Sequence, residues 1–234
     1  MSASIFSFVV NGLFAAICLG AAWPGPHRVV CPECYGLSEI APRVWTDRPG
    51  RGAEFRDLVA TSRARVAAFF ASDASTPLVV ICASRRCARD FGIRGNGLSI
   101  ADLIVMVAPG GANIGTLTHE MTHSRLHRSM GLRNLIDHPY PTWFDEGLAT
   151  HVADHPRWNG RVSESARRRV REARHIWHWR GTMEALGTGR AYRAAAAEVA
   201  RIEGVAGRSG LLELIARAEA GEDFEAVEAE VMER

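Results

Sequence analysis

The chain has 234 residues, enough for one domain with a sizeable core, and its 47% hydrophobic and 23% charged content is that of a globular protein. The formal net charge is +2, and all 28 basic residues are arginine because the sequence contains no lysine. So slight a charge excess predicts no nucleic-acid partner, and the wholesale use of arginine removes arginine abundance as an argument for phosphate binding.

Residues 5 to 23 are almost wholly apolar. At about 1.5 Å per residue a helix of that length nearly crosses a bilayer. The segment reads as a secretory signal or a retained anchor, although no basic residue precedes it. Either way it predicts an extracytoplasmic protein, periplasmic or secreted, with membrane association through residues 5–23 if the segment is kept. Cys18 lies inside it, leaving Cys31, Cys34, Cys82 and Cys87. In an exported chain these predict structural disulfides, whose pairing the spacing does not decide. Cys31-Pro-Glu-Cys34 also has the spacing of a zinc knuckle or a redox pair, and Cys82 and Cys87 stand too far apart for the usual second knuckle.

Residues 24 to 52 are rich in Pro and Gly and predict an irregular cysteine-bearing segment, with a single domain over 53–234. Apolar spacing predicts a helix over 54–71, a buried strand over 77–82, a helical turn or two over 84–91 and a strand over 98–108. A helix follows over 112–130, stopped by Gly131. Beyond a loop with Pro139 and Pro141, Thr142 reads as an N-cap and Asp145 as its capping-box acid, starting a helix over 143–154. The remainder is helical in pattern over 163–180, 190–203, 209–220 and 222–232. A few strands followed by many helices predict an α+β fold.

The helix over 112–130 carries His119-Glu120-Met-Thr-His123. His119 and His123 project from one face, where two imidazoles can grip one metal ion, and Glu120 stands beside them as a base for water. A third ligand is needed. His127 continues the series, but two further helical steps carry it about 12 Å from His119, too far for one ion. Glu146 is the better candidate, because the short loop folds its helix back toward the first. Zinc is the metal expected for a His₂Glu set. Asp145 is expected only to favour its helix N-terminus, while His151, Asp154 and Thr150 are placed to orient ligands. His175 and His178 form a further His pair without supporting carboxylates, and the basic stretch Arg161 to Arg180, with Arg167 to Arg169 inside it, reads mainly as a solvated face, with anionic lipid or an acidic partner as the rival readings.

His119-Glu-x-x-His123 followed by Trp143-Phe-Asp-Glu146-Gly-Leu-Ala149 resembles the gluzincin metallopeptidases, including the small bacterial proteins with a peptidase MA-like domain. The resemblance spans about half the chain, residues 99 to 225, and implies a zincin-like fold: a small N-terminal sheet, an active-site helix and a mainly helical C-terminal part. It implies zinc ligands His119, His123 and Glu146, a general base Glu120 and a peptide or protein substrate. A weaker match over residues 191–202 implies that Tyr192 hydrogen-bonds the oxyanion, with Tyr140 as the alternative donor. The strand over 98–107 stands where the substrate-pairing edge strand of zincins does. No Gly-x-Met-Glu-Asn motif is present, so aminopeptidase specificity is not implied. The rival functions are a non-catalytic zinc-bearing scaffold and a thiol–disulfide protein working through Cys31 and Cys34.

Overall fold

A computed structural model of the protein describes residues 24–72, 75–129, 138–154 and 160–233. The apolar residues 5–23 with Cys18, and the helix stop at Gly131, lie outside the described residues. Among those described, no helix is long and apolar enough to cross a membrane.

The fold is α+β, mostly helical with one small mixed sheet. Its strands are β1 (Ser38–Ala41), β2 (Val44–Thr46), β3 (Leu78–Ile81), β4 (Gly97–Ile100) and β5 (Ile104–Val107), in the order β1-β2-β3-β5-β4. β2, β3 and β5 run parallel, and β1 and β4 pair antiparallel at the two edges. Side chains alternate across the sheet: Val79, Ile81, Val105 and Val107 enter the main core, while Val80, Cys82 and Met106 join a second cluster with Leu37, Cys87 and Phe91. Both faces are covered, which is why these strands read as continuous apolar runs.

Two expectations change here. The stretch 24–52 is not merely irregular, since it supplies β1 and β2 to the sheet. The strand expected over 98–108 is a hairpin, β4 turning at Ala101 into β5. Ala101 adopts a φ of 49°, which L-residues seldom take, and no Gly or Pro announces the turn. The four cysteines pair locally, Cys31 with Cys34 and Cys82 with Cys87, so neither pair is free to form a zinc knuckle.

Among the described residues the helices are α1 (Gly52–Phe70), α2 (Arg85–Asp90), α3 (Ile114–Leu126), α4 (Thr142–Ala153), α5 (Glu164–Arg171), α6 (Ile176–Leu186), α7 (Thr188–Glu219) and α8 (Phe224–Met232). α1 lays Phe55, Val59, Val66, Phe69 and Phe70 into the main core. The helix expected over 163–180 breaks into α5 and α6, because the carbonyls of Ala173 and Arg174 accept hydrogen bonds from Trp143 and Thr142 at the start of α4. α7 joins two expected helices across a kink at Gly207, whose φ is 71°. The arginines of α5 are met by carboxylates: Arg167 by Glu164 and Glu198, Arg168 by Glu164, Arg169 by Glu172 and Arg171 by Glu228.

α4 packs against both α3 and α7 and buries residues all round its circumference. Gly147 permits this closeness, since a Cβ there would stand 2.6 Å from the carbonyl oxygen of Ala195 on α7. Gly147→Ala is therefore expected to destabilise the fold by about 1–3 kcal/mol, read as a lower denaturant midpoint. An unchanged midpoint would mean that α7 does not rest on this glycine.

Candidate metal centre

The side chain of Asn113 caps α3 by accepting from the backbone N–H of Thr116, and the helix then carries His119, Glu120 and His123. His119 and His123 share a face, with their Nε2 atoms 3.1 Å apart. From α4, Glu146 places Oε2 3.4 Å from Nε2 of His119 and 3.5 Å from Nε2 of His123. That oxygen is buried and has no hydrogen bond of its own. Ligand atoms at about 2.0–2.1 Å from a tetrahedral ion lie about 3.3–3.4 Å from one another, so the three observed separations suit one small cation. This cluster of two histidines and a carboxylate can hold a metal ion.

Asp145 departs from its expected role. Pro141, not Thr142, occupies the N-cap position of α4, and Thr142 Oγ1 donates instead to the carbonyl of Arg174. Asp145 is turned inward and buried: Oδ1 lies 2.9 Å from Nδ1 of His123 and Oδ2 3.1 Å from Nε2 of His127. A carboxylate on Nδ1–H leaves Nε2 as the lone-pair nitrogen, the form in which imidazole binds a metal. His127 takes no part in the first triad, as its distance along the helix predicts. It belongs with His123 and Asp145 to an adjoining group that could also hold an ion. An Asp directly before Glu146 and a His one turn after His123 were the sequence signals for this arrangement.

The charges reinforce one another. Burial alone would raise the carboxyl of Asp145, but His123 and His127 hold it well below the usual range. Burial opposes a proton on His123, yet Asp145 and Glu146 raise its pKa well above the usual imidazole value. An incoming cation must displace that proton. Glu146, despite its burial, is brought down to about 2 by the facing imidazoles of His119 and His123. Glu120 behaves oppositely: burial pushes its carboxyl up, and the two histidines offset this only in part. Its side chain lies against the edge strand, where a Cβ on Gly97 would stand 2.5 Å from Glu120 Oε1. Glycine at that position leaves room for the carboxylate.

Tyr192, on α7, packs its ring edge-on to His119 and to the buried Trp179. Burial and the charges of Glu146 and Glu120 keep it a phenol. Tyr140 is buried beside Phe144 and lines a neighbouring depression with Glu219, so of the two tyrosines Tyr192 is the one that meets the histidines. Thr150 Oγ1 donates to the carbonyl of Glu146 and lies 3.5 Å from Nδ1 of His119, in keeping with an orienting role. His151 pairs instead with Glu203, and Asp154 ends α4 in a left-handed conformation. His175 and His178 belong to no metal-holding group among the described residues.

The cluster opens into a cleft of about 680 Å³ whose walls include Gly97, Ser99, His138, Arg174, Ile176 and Trp177. If Asp145 orients His123, Asp145→Asn should weaken zinc binding about 10–100-fold, measured by competition with a chromogenic chelator. Equal affinity would make the contact incidental to the metal. Comparison with known protein families, curated proteins and solved structures finds no match for this chain.

Proposed function

We propose that the protein is a zinc-dependent peptide hydrolase of gluzincin type, with His119, His123 and Glu146 as the zinc ligands. The observation that carries this reading is the convergence of three ligand atoms at 3.1, 3.4 and 3.5 Å, with Glu120 beside them in the same cleft. When bound, zinc supplies a lowered pKa for water and polarisation of a substrate carbonyl. Glu120 takes the proton of the attacking water and passes it to the leaving amine; its raised pKa suits a group that must both accept and return a proton. Tyr192 donates a hydrogen bond to the developing oxyanion without ionising. β4, an edge strand of the sheet among the described residues, would offer backbone groups to an extended peptide lying across the cleft. Two disulfides fit an oxidising compartment, in keeping with export directed by residues 5–23.

The test is hydrolysis of unfolded casein by the purified chain, before and after zinc is stripped with a chelator and restored. Cleavage that disappears and returns with zinc is expected. Stoichiometric zinc without cleavage of any substrate would favour a non-catalytic scaffold.

A further inference from the structure

Ile176 and Trp177 are 56% and 82% exposed, adjacent in sequence, and both part of the wall of the metal cleft. The other large apolar residues exposed among the described residues, Val30, Leu103 and Val205, are not part of that wall. The fold does not require this exposure. Trp179 anchors α6 in the core, and Trp177, two residues earlier, points about 200° away from it around the helix. A polar residue would serve the helix equally well at 177.

Nor is the wall loosely placed. The turn before α6 is tied to the first turn of α4 by the bonds from Thr142 N to Arg174 O (3.1 Å) and from Trp143 N to Ala173 O (3.0 Å). That same turn of α4 leads into Asp145 and Glu146, so the apolar pair and the metal-holding carboxylate share one support. Arg174, next in the wall, is held by Glu225 at 2.6 Å, which engages the guanidinium otherwise offered to an acidic side chain. The edge strand adds Leu98 to the same cleft.

We infer that Ile176 and Trp177 form a subsite for a bulky apolar side chain of a peptide lying along β4, close to the bond presented to His119, His123 and Glu146. The inference rests on the peptidase reading, and it makes the preferred substrates peptides with a Phe- or Leu-like residue near the cut. An aromatic ring held against Trp177 and Ile176 leaves water on both partners' behalf, which is where the selectivity comes from.

The test uses the full zinc-loaded chain and a set of internally quenched Ala/Gly peptides, each with Phe at one position, beside a Phe-free peptide. Cleavage within about two residues of Phe is expected, with kcat/KM about tenfold or more above the Phe-free peptide. Trp177→Ser, and independently Ile176→Ser, should reduce that ratio to about threefold or less. Cut sites that ignore Phe, or a ratio unchanged in both variants, would overturn the subsite while leaving the peptidase reading intact. If the wild type cleaves nothing, binding of a fluorescein-labelled Phe peptide to zinc-loaded Glu120→Gln decides. Binding about fivefold or more weaker when Trp177→Ser is added upholds the subsite and removes the peptidase reading. Equal binding, or none, overturns both.

Discussion

Glu120→Gln is expected to leave zinc bound at full stoichiometry while lowering kcat for peptide hydrolysis by about 10²–10⁴-fold, the usual share of a positioned acid–base group. The residues that could hold the ion are His119, His123 and Glu146, so an amide at 120 would remove no metal bond. Gln matches Glu in shape, so the clearance that Gly97 provides is unchanged. What is lost is proton transfer alone. The substitution also removes a carboxylate whose burial is unfavourable, so the metal-free variant should unfold at a temperature no lower than the wild type. Metal analysis and steady-state kinetics on one preparation check both halves. Undiminished turnover with zinc present would assign the base elsewhere.

Glu146→Gln is expected to act on the metal itself. Glu146 is the anionic member of the triad, and its buried Oε2 has no other partner to satisfy it. An amide oxygen is uncharged and a poorer ligand for zinc, so affinity should fall by about 100-fold or more and hydrolysis should fall with it. Activity in the variant should recover partly as zinc is raised, which Glu120→Gln should not do. That contrast separates ligand from base in one zinc titration. A variant with wild-type affinity would remove Glu146 from the site.

The site was legible in the sequence to the extent that its residues obey helical spacing. His119 and His123 had to share a face of any helix that contained them, and α3 forms where the apolar pattern places it, passing after Leu126 into a 3-10 turn over His127–Ser129. Glu146 was readable because a short loop leaves a second helix few directions to run. The role of Asp145 is not legible in the sequence, because an acid in a first turn looks the same whether it meets backbone N–H groups or a histidine from another helix. Only the packing of α4 on α3 distinguishes them.

Two departures from the sequence pattern share a cause. The turn at Ala101 and the break between α5 and α6 lack the Gly or Pro that marks such places, and both are held by bonds to distant chain. Gly147 is the converse case. In the sequence it is an unfavourable residue inside a helix, and in the fold it is where α4 meets the backbone of α7. The selective wall at Ile176 and Trp177 could not be read at all, since exposure is a property of the assembled chain.

On the proposed function, His119, His123 and Glu146 bind one zinc ion in a cleft that Glu120 shares. Anomalous diffraction at the zinc edge, from crystals of the zinc-loaded chain, tests it most directly. One peak is expected about 2.0–2.2 Å from Nε2 of His119, Nε2 of His123 and a carboxylate oxygen of Glu146, with the fourth position open toward the cleft. A peak centred on His127 and Asp145, or no peak within bonding distance of Glu146, would contradict it.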